Sequence, residues 1–434
     1  MPRGDRPKLL RGDLLPEIAN PPPGVRARRL VRRLVASEAP GTILGEGNGP
    51  PVWVEAVGAN VLDVDDNRYL DLTGGFGVAT IGHRHPEVVE TIRRQAGRLL
   101  HGLGDLHPHR QRIALAEELR SRAPFDDARV YFAVSGSDAV EIALKTALLV
   151  TGRPGLVAFE GSYHGSTLGA LAVTGRSRFR EPFAEHLHSE VHRLPWGSSP
   201  EALGVVLAEG EIGAVILEPI QGRAGVRLPP PDWLPAVRRL TSDHGALLIL
   251  DEILTGGGRT GSFWAVTEHD VIPDLVCAGK GLAGGLPLGL VLGPASLLSA
   301  WPGQGEALHT GTFLAHPLVC AAARANLAVL DELLAAPRTS ARSRQLASGL
   351  SALRRRFPGR IRAVRGRGHL WGLDLGRPNE AFKLARIALR EGLLLLPSGN
   401  RGEVVELLPP LTLTEEQADA AVELLGRAVA RISR

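Results

Sequence analysis

Lys280 sits on a glycine-rich turn, Ala278-Gly-Lys-Gly-Leu-Ala-Gly-Gly285, just past an apolar run of strand character. Upstream, Leu247-Leu-Ile-Leu-Asp251-Glu252 ends another buried run on a carboxylate. The chain has only three other lysines, Lys8, Lys145 and Lys383, and otherwise draws its positive charge from arginine. Either residue alone reads as a surface lysine or an ordinary strand end. Together, a lysine on a turn and an acid at a strand's C-terminal end suit a Schiff-base cofactor. The lysine would bind the aldehyde of pyridoxal 5'-phosphate (PLP), and the acid would keep its pyridine nitrogen protonated.

Such a pair needs a scaffold that brings strand ends to one rim. Apolar runs at 129–134, 155–159, 214–217, 246–250, 274–278 and 288–292 read as buried strands, mostly with helical stretches between them. Ser135-Gly136-Ser137 follows the first, Tyr163-His164 the second, Glu218 the third and Asp251 the fourth, while Lys280 lies past the fifth. Open α/β sheets bind ligands at the carboxyl ends of their strands, so these landings define one site. Ser135-Gly-Ser-Asp138 enters an amphipathic helix, as a phosphate cradle or as a simple N-cap. Tyr163 is placed to stack on a planar ring or to pack at a strand edge. Glu218-Pro219 is a second acid near the site or a strand terminator.

The flanks form a different pattern. Residues 51–71 alternate around an Asp-Asp-Asn turn as a β-meander, and a helical period runs from 84 to 122 with His85-Pro86 at its start. Helices near 317–335, 339–356 and 378–391, with strands at 369–375 and 404–408, close the chain. The expected organisation is an arm at 1–25, part of a small domain at 26–84, a large domain at 85–325 and the rest of the small domain at 326–434. Both end units are too small to stand alone and should pack as one α+β domain.

The order of motifs resembles the class III (ω-type) aminotransferases, PLP enzymes of fold type I. The stretches that carry it are Leu72-Thr-Gly-Gly-Phe-Gly77 with Gly82-His-Arg-His-Pro86, Ser135-Gly-Ser-Asp-Ala-Val-Glu141, Tyr163-His-Gly165 and Glu218-Pro-Ile-Gln-Gly222. They continue through Asp251-Glu-Ile-Leu-Thr-Gly256, Gly258-Arg-Thr-Gly261, Gly279-Lys-Gly281, His309-Thr-Gly-Thr-Phe313 with His316-Pro317, and Arg367-Gly368 near Trp371-Gly372. The resemblance implies that Lys280 forms the internal aldimine and that Asp251 pairs with the pyridinium nitrogen. Ser135, Gly136 and Ser137 would hold the phosphate, with Thr312 reaching in from a partner subunit. Tyr163 would stack on the ring, with His164, Glu218 and Leu254 close by. Trp53, Phe76, Gly77, Arg223 and Glu406 fall at substrate positions. A shared site implies a homodimer, or a dimer of dimers.

The departures from the family pattern bear on substrate. Leu254 stands where many relatives have Gln, and Ser166 where an arginine commonly binds a distal carboxylate. Arg223 and Glu406 exchange the charges of the Glu–Arg gate found in ornithine-type and γ-aminobutyrate-type relatives. A reversed pair can close as a salt bridge, or can offer cation and anion from opposite walls. The expected activity is amino transfer from an amine or amino acid to an oxo acid through pyridoxamine phosphate. A racemase or epimerase of the same family is the alternative, and a cofactor-binding protein without turnover is a third.

Composition narrows the setting. With 44% hydrophobic and 22% charged residues, the chain reads as a soluble globular protein. The basic cluster Arg26–Arg33 lacks interleaved aromatics, so it reads as a solvated helix face, opposite Leu30, Val31 and Leu34, and not as a nucleic-acid surface. No apolar stretch reaches membrane-spanning length, and the start lacks a signal peptide's apolar region. Cys277 and Cys320 form no CxxC or disulfide framework, which makes a reducing cytoplasm the expected location.

Overall fold

A computed structural model describes residues 10–41 and 49–432. Lys8 and residues 1–9 of the expected arm lie outside the described residues. Three strands open the fold: β1 (Trp53–Val57), β2 (Asn60–Asp63) and β3 (Arg68–Asp71), an antiparallel meander. The large sheet is built from β4 (Ala128–Ala133), β5 (Gly155–Phe159), β6 (Val191–Leu194), β7 (Ile212–Leu217), β8 (Leu247–Asp251), β9 (Leu275–Ala278) and β10 (Gly289–Pro294). Its order is β4-β10-β9-β8-β7-β5-β6. Only β10 runs antiparallel to its neighbours, so β4, β5, β7, β8 and β9 all end on one rim.

Alternation along the strands builds two cores. Val215, Leu217, Leu248 and Leu250 face one layer of helices, while Ala214, Ile216, Leu247 and Ile249 face the other. Residues 155–159, 214–217, 246–250, 274–278 and 288–292 thus form buried strands within a residue or two of their expected limits, whereas 129–134 forms a partly exposed strand at the sheet's edge. β6 was not anticipated. Val191-His-Arg-Leu194 is a polar, partly exposed edge strand whose side chains carry no apolar run.

The helical stretch expected over 84–122 is two helices, Pro86–Ala96 and Arg110–Arg120. Gly97 ends the first, and residues 97–109, with Gly102, Gly104 and Pro108, cross to the second as a loop. The helix Val25–Val35 buries only Ala27, and Leu34 stays exposed opposite the arginines.

The chain ends share a core. Short β13 (Leu393–Leu394) pairs parallel with β3, and Ala59, Leu70 and Leu72 pack with Leu346, Leu373, Val405 and Leu425. A second sheet, in the order β11-β12-β15-β14, comprises β11 (Ala363–Arg367), β12 (Leu370–Asp374), β14 (Leu396–Ser398) and β15 (Val404–Leu407). Helix Glu415–Ala430 begins with a capping box of Thr414 and Gln417. The Gln417 amide also donates to the carbonyls of Gly12 and Leu14, tying the front of the chain to its last helix. The fold is therefore α/β, with a mostly parallel large sheet and a smaller α+β unit drawn from both ends. One continuous helix, Pro317–Ala335, carries the chain past residue 325 from one unit towards the other. No helix among the described residues is long and apolar enough to cross a membrane.

Candidate active site

The rim of the large sheet encloses a cavity of about 300 Å³. Its wall includes Lys280 from the turn after β9, Asp251 from the end of β8 and Glu218 from the end of β7. Tyr163 and His164 follow β5, and Ser135, Gly136 and Ser137 follow β4. Leu254 and Arg223 complete the group of sequence-identified residues on that wall.

Lys280 has φ of +24°, a left-handed conformation rare for a residue with a side chain. Its amine has no hydrogen-bond or ion-pair partner among the described residues. Burial lowers its pKa, against the pull of Glu406, Asp251 and Glu218. A lysine so placed is available as a nucleophile at neutral pH more often than a solvated one.

Asp251 is 4% exposed, and its two oxygens have fixed partners. Oδ1 accepts from the Ile253 N–H at 3.0 Å, and Oδ2 shares a 2.7 Å hydrogen bond with His164 Nδ1. The other imidazole nitrogen, Nε2, is buried without a partner among the described residues. Glu218 is clamped by N–H donors from Tyr163 at 3.0 Å and Gly222 at 3.2 Å. Burial nevertheless pushes its pKa up to about 7, and the nearby Asp251 adds to the rise.

Helix Gly136–Thr151 aims its N-terminus at the cavity, where first-turn N–H groups and the helix dipole favour an anion. The side chains there are already engaged. The Ser135 hydroxyl accepts from the Asp138 N–H as the N-cap. The Ser137 hydroxyl accepts from the N–H groups of Ser166 and Thr167, each at 3.1 Å. Among the described residues, the backbone N–H groups of Gly136 and Ser137 and the Ser135 O–H are donors without an acceptor. Gly165 makes this closure possible: its φ is +134°, and a Cβ there would lie 2.3 Å from Ser137 Oγ.

Five sequence-identified residues are not on the wall of this cavity. Trp53 is 42% exposed on β1, edge-on to His83 at 6.0 Å. Phe76 is 59% exposed at φ +61°, and Thr312 is exposed on the loop before Pro317. Gly77 lies closer, because a Cβ there would stand 2.7 Å from Leu254 and 3.9 Å from Lys280. Glu406, in the middle of its sheet, is buried beside Gly222 and behind the wall. Among the described residues it makes no ion pair with Arg223, and its oxygens have no hydrogen-bond partner. Lys145 and Lys383 are exposed on helices away from the cavity.

Two arginines that sequence reasoning passed over matter to the wall. Arg259 is fully buried, and its guanidinium donates to the carbonyls of Gly77 and Pro409 and to the Thr80 hydroxyl, joining three separate segments. Arg176 donates to the carbonyls of Arg223 at 2.6 Å and Gly399 at 3.2 Å. The only sequence signal for Arg259 was its place between the glycines of Gly258-Arg-Thr-Gly261; Arg176 had none.

Comparison with known proteins agrees with this geometry. Residues 45–429 match the family model described as aminotransferase class-III. An acetylornithine aminotransferase from Methanopyrus kandleri is 38% identical over 88% of this chain and 94% of its own length. Another, from Mycobacterium leprae, is 40% identical over 87% and 91%. Among solved structures, an amine transaminase from an uncultivated Pseudomonas species, in its PLP-bound form, superposes with a TM-score of 0.83. It is 31% identical, over 91% of this chain and 98% of that one. The amino-transfer names of these relatives favour transfer over racemisation. Matched along nearly all of its length, the chain belongs to the PLP-dependent class-III aminotransferase family.

Proposed function

We propose that the protein is a cytoplasmic homodimer, or a dimer of dimers, that moves an amino group from an amine or amino acid to an oxo acid. The observation that carries the reading is an unpaired Lys280 amine in a cavity shared with the Asp251–His164 pair and a helix N-terminus. PLP, when bound, supplies an aldehyde carbon for the amino group and a ring that accepts electron density. The cavity suits it, with N–H donors for the phosphate at one end and a buried carboxylate at the other. In this reading the N–H groups of Gly136 and Ser137 hold the phosphate. The face of Tyr163 covers the ring, and Asp251 keeps a proton on the ring nitrogen. His164 orients Asp251 through Nδ1, and Glu218 fixes the backbone of Tyr163 and Gly222. Lys280 Nζ anchors the cofactor, then takes the proton from the donor's amine-bearing carbon and returns it at the carbon that receives the amino group.

Exposed Leu100, Leu103, Leu106, Leu308 and Phe313 support a second copy covering the loops at 97–109 and 302–316. Thr312 lies on the second of these loops and would reach the partner's phosphate. Trp53, Phe76 and Gly77 are assigned to the substrate approach. Cys277 and Cys320 are buried free thiols, which suits a reducing compartment. The proposed domain limits are 26–84 with 326–434 for the small domain and 85–325 for the large one.

Two measurements test this. Borohydride reduction of the yellow protein, followed by peptide mapping, should place the pyridoxyl group on Lys280; a label on Lys145, Lys383 or Lys8 would refute the site. Incubation with one amino acid should yield more than one equivalent of its oxo acid per active site only when 2-oxoglutarate or pyruvate is supplied. Loss of chirality without any oxo acid would mean isomerisation instead.

A further inference from the structure

Thr167 is the N-cap of helix Leu168–Val173, with extended backbone at φ −69° and ψ 154°, yet its side chain does not cap that helix. A threonine so placed ordinarily accepts from a first-turn N–H group. Glu141, on the neighbouring helix Gly136–Thr151, takes that task instead. Its Oε1 accepts from the Gly169 N–H at 2.9 Å and the Ala170 N–H at 3.1 Å. The fit is close, since a Cβ on Gly169 would lie 2.2 Å from Glu141 Oε2.

Relieved of capping, the Thr167 hydroxyl serves a different contact. It donates to Glu141 Oε1 at 2.6 Å, which uses its only proton. Ser137 Oγ stands 2.8 Å from Thr167 Oγ1, so Ser137 must be the donor between them. The Ser137 oxygen in turn accepts from the N–H groups of Ser166 and Thr167. One proton and two lone pairs are all that a hydroxyl has, and all three are given to this loop. Because the Ser137 proton is fixed on Thr167, its lone pairs are fixed on the two N–H groups. The loop is thereby tied to the first turn of the helix that lines the cavity.

We propose that Glu141 is a positioning residue for the cofactor. By capping helix Leu168–Val173 in place of Thr167, it turns the Thr167 hydroxyl onto Ser137 and holds the loop at 165–167 against the phosphate-binding turn. Glu141 is not on the cavity wall and acts only through Thr167 and Ser137. The proposal rests on the PLP aminotransferase reading above. Without Glu141, the Thr167 hydroxyl is free to cap its own helix, which restores the cap and leaves Ser137 without an acceptor.

The test reads PLP affinity beside stability in the full-length protein. Glu141→Leu should raise the PLP dissociation constant roughly 10-fold, the size of one lost hydrogen-bond link. Its denaturant midpoint without cofactor should change little, because the cap is replaced. Glu141→Gln keeps an acceptor in the same place and should stay within about threefold of the parent. Ser137→Ala should weaken PLP binding as Glu141→Leu does. The Glu141→Leu/Ser137→Ala double should then fall within about twofold of the weaker single, because both changes cut one relay. Effects that multiply in the double would mean that Glu141 does not act through Ser137, and would refute the proposal. A Glu141→Leu protein that loses stability but binds PLP normally has lost a structural cap alone, which refutes it too. Thr167→Val leaves Glu141 on the Gly169 and Ala170 N–H groups and cuts only the link to Ser137. It should weaken PLP binding several-fold, and parental affinity there refutes the proposal even if Glu141→Leu does not fold. Borohydride labelling separates the two readings. A Lys280 label with unmoved constants overturns only the role of Glu141, whereas a parent protein labelled elsewhere overturns both.

Discussion

The role proposed for Asp251 needs its carboxylate, which two neighbours fix in place. Its oxygens are held by Ile253 N–H and His164, and both contacts can survive a change to the isosteric amide. Asp251→Asn should therefore still bind PLP, but its neutral amide no longer stabilises a protonated ring nitrogen. The expected loss is on the order of 10²- to 10³-fold in kcat, the scale seen when a preorganised electrostatic contact is removed. Near-normal turnover with bound cofactor would count against the assignment. The same arithmetic does not extend to Glu218, whose job is to hold two N–H groups and whose charge is already disfavoured by burial.

At the level of elements, the proposed phosphate end is shaped by the loop at 165–167 closing onto the first turn of helix Gly136–Thr151. Gly165→Ala would need a side chain at φ +134° and a Cβ 2.9 Å from the Ser137 Cα. A backbone Cα cannot give way easily to that methyl, so the helix start must shift. The variant should lose about 1–3 kcal/mol of stability, and its PLP dissociation constant should rise by roughly tenfold or more. Gly204→Ala is the control. Gly204 lies within helix Pro200–Ala208, and its added methyl would meet only Leu240 at 3.7 Å. It should gain about 0.5–1 kcal/mol with unchanged PLP affinity. Equal PLP affinity in both variants would remove the loop from the phosphate site.

Across the whole molecule, buried acids set a pH dependence of stability. Glu252 is 1% exposed and accepts from Val266 N–H and the Thr255 hydroxyl. Burial, which outweighs those bonds, pushes its pKa up to about 7 from an ordinary 4.5. Because its folded pKa lies above its unfolded value, the folded state holds the extra proton between those limits. Its contribution is fully present below about 4.5 and is lost as pH rises through about 7. Glu252→Gln removes this term without removing the acceptor for Val266. Between pH 5 and pH 8 the variant should gain on the parent by at most about 3 kcal/mol. Denaturant unfolding at several pH values checks it; a parallel pH profile would mean that Glu252 is charged in the folded protein throughout.

Local chemistry determined much of this protein before any folding was considered. A lone lysine on a glycine turn, an acid closing a buried strand and a serine-capped helix each carry their own signal. Strand and helix periods then bring those signals to one rim, because parallel strands must end on the same side. Tertiary structure alone decided what lies behind the wall. The contact of Arg176 with Gly399 spans 223 residues, and no periodicity encodes it. The burial of Glu406 without a partner likewise emerges only when its sheet packs against Gly222. Trp53, Phe76 and Thr312 occupy family positions in the sequence yet stay exposed in a single chain. Residue types and short spacings are read from the chain itself, whereas burial and unmet charge depend on which distant segments meet.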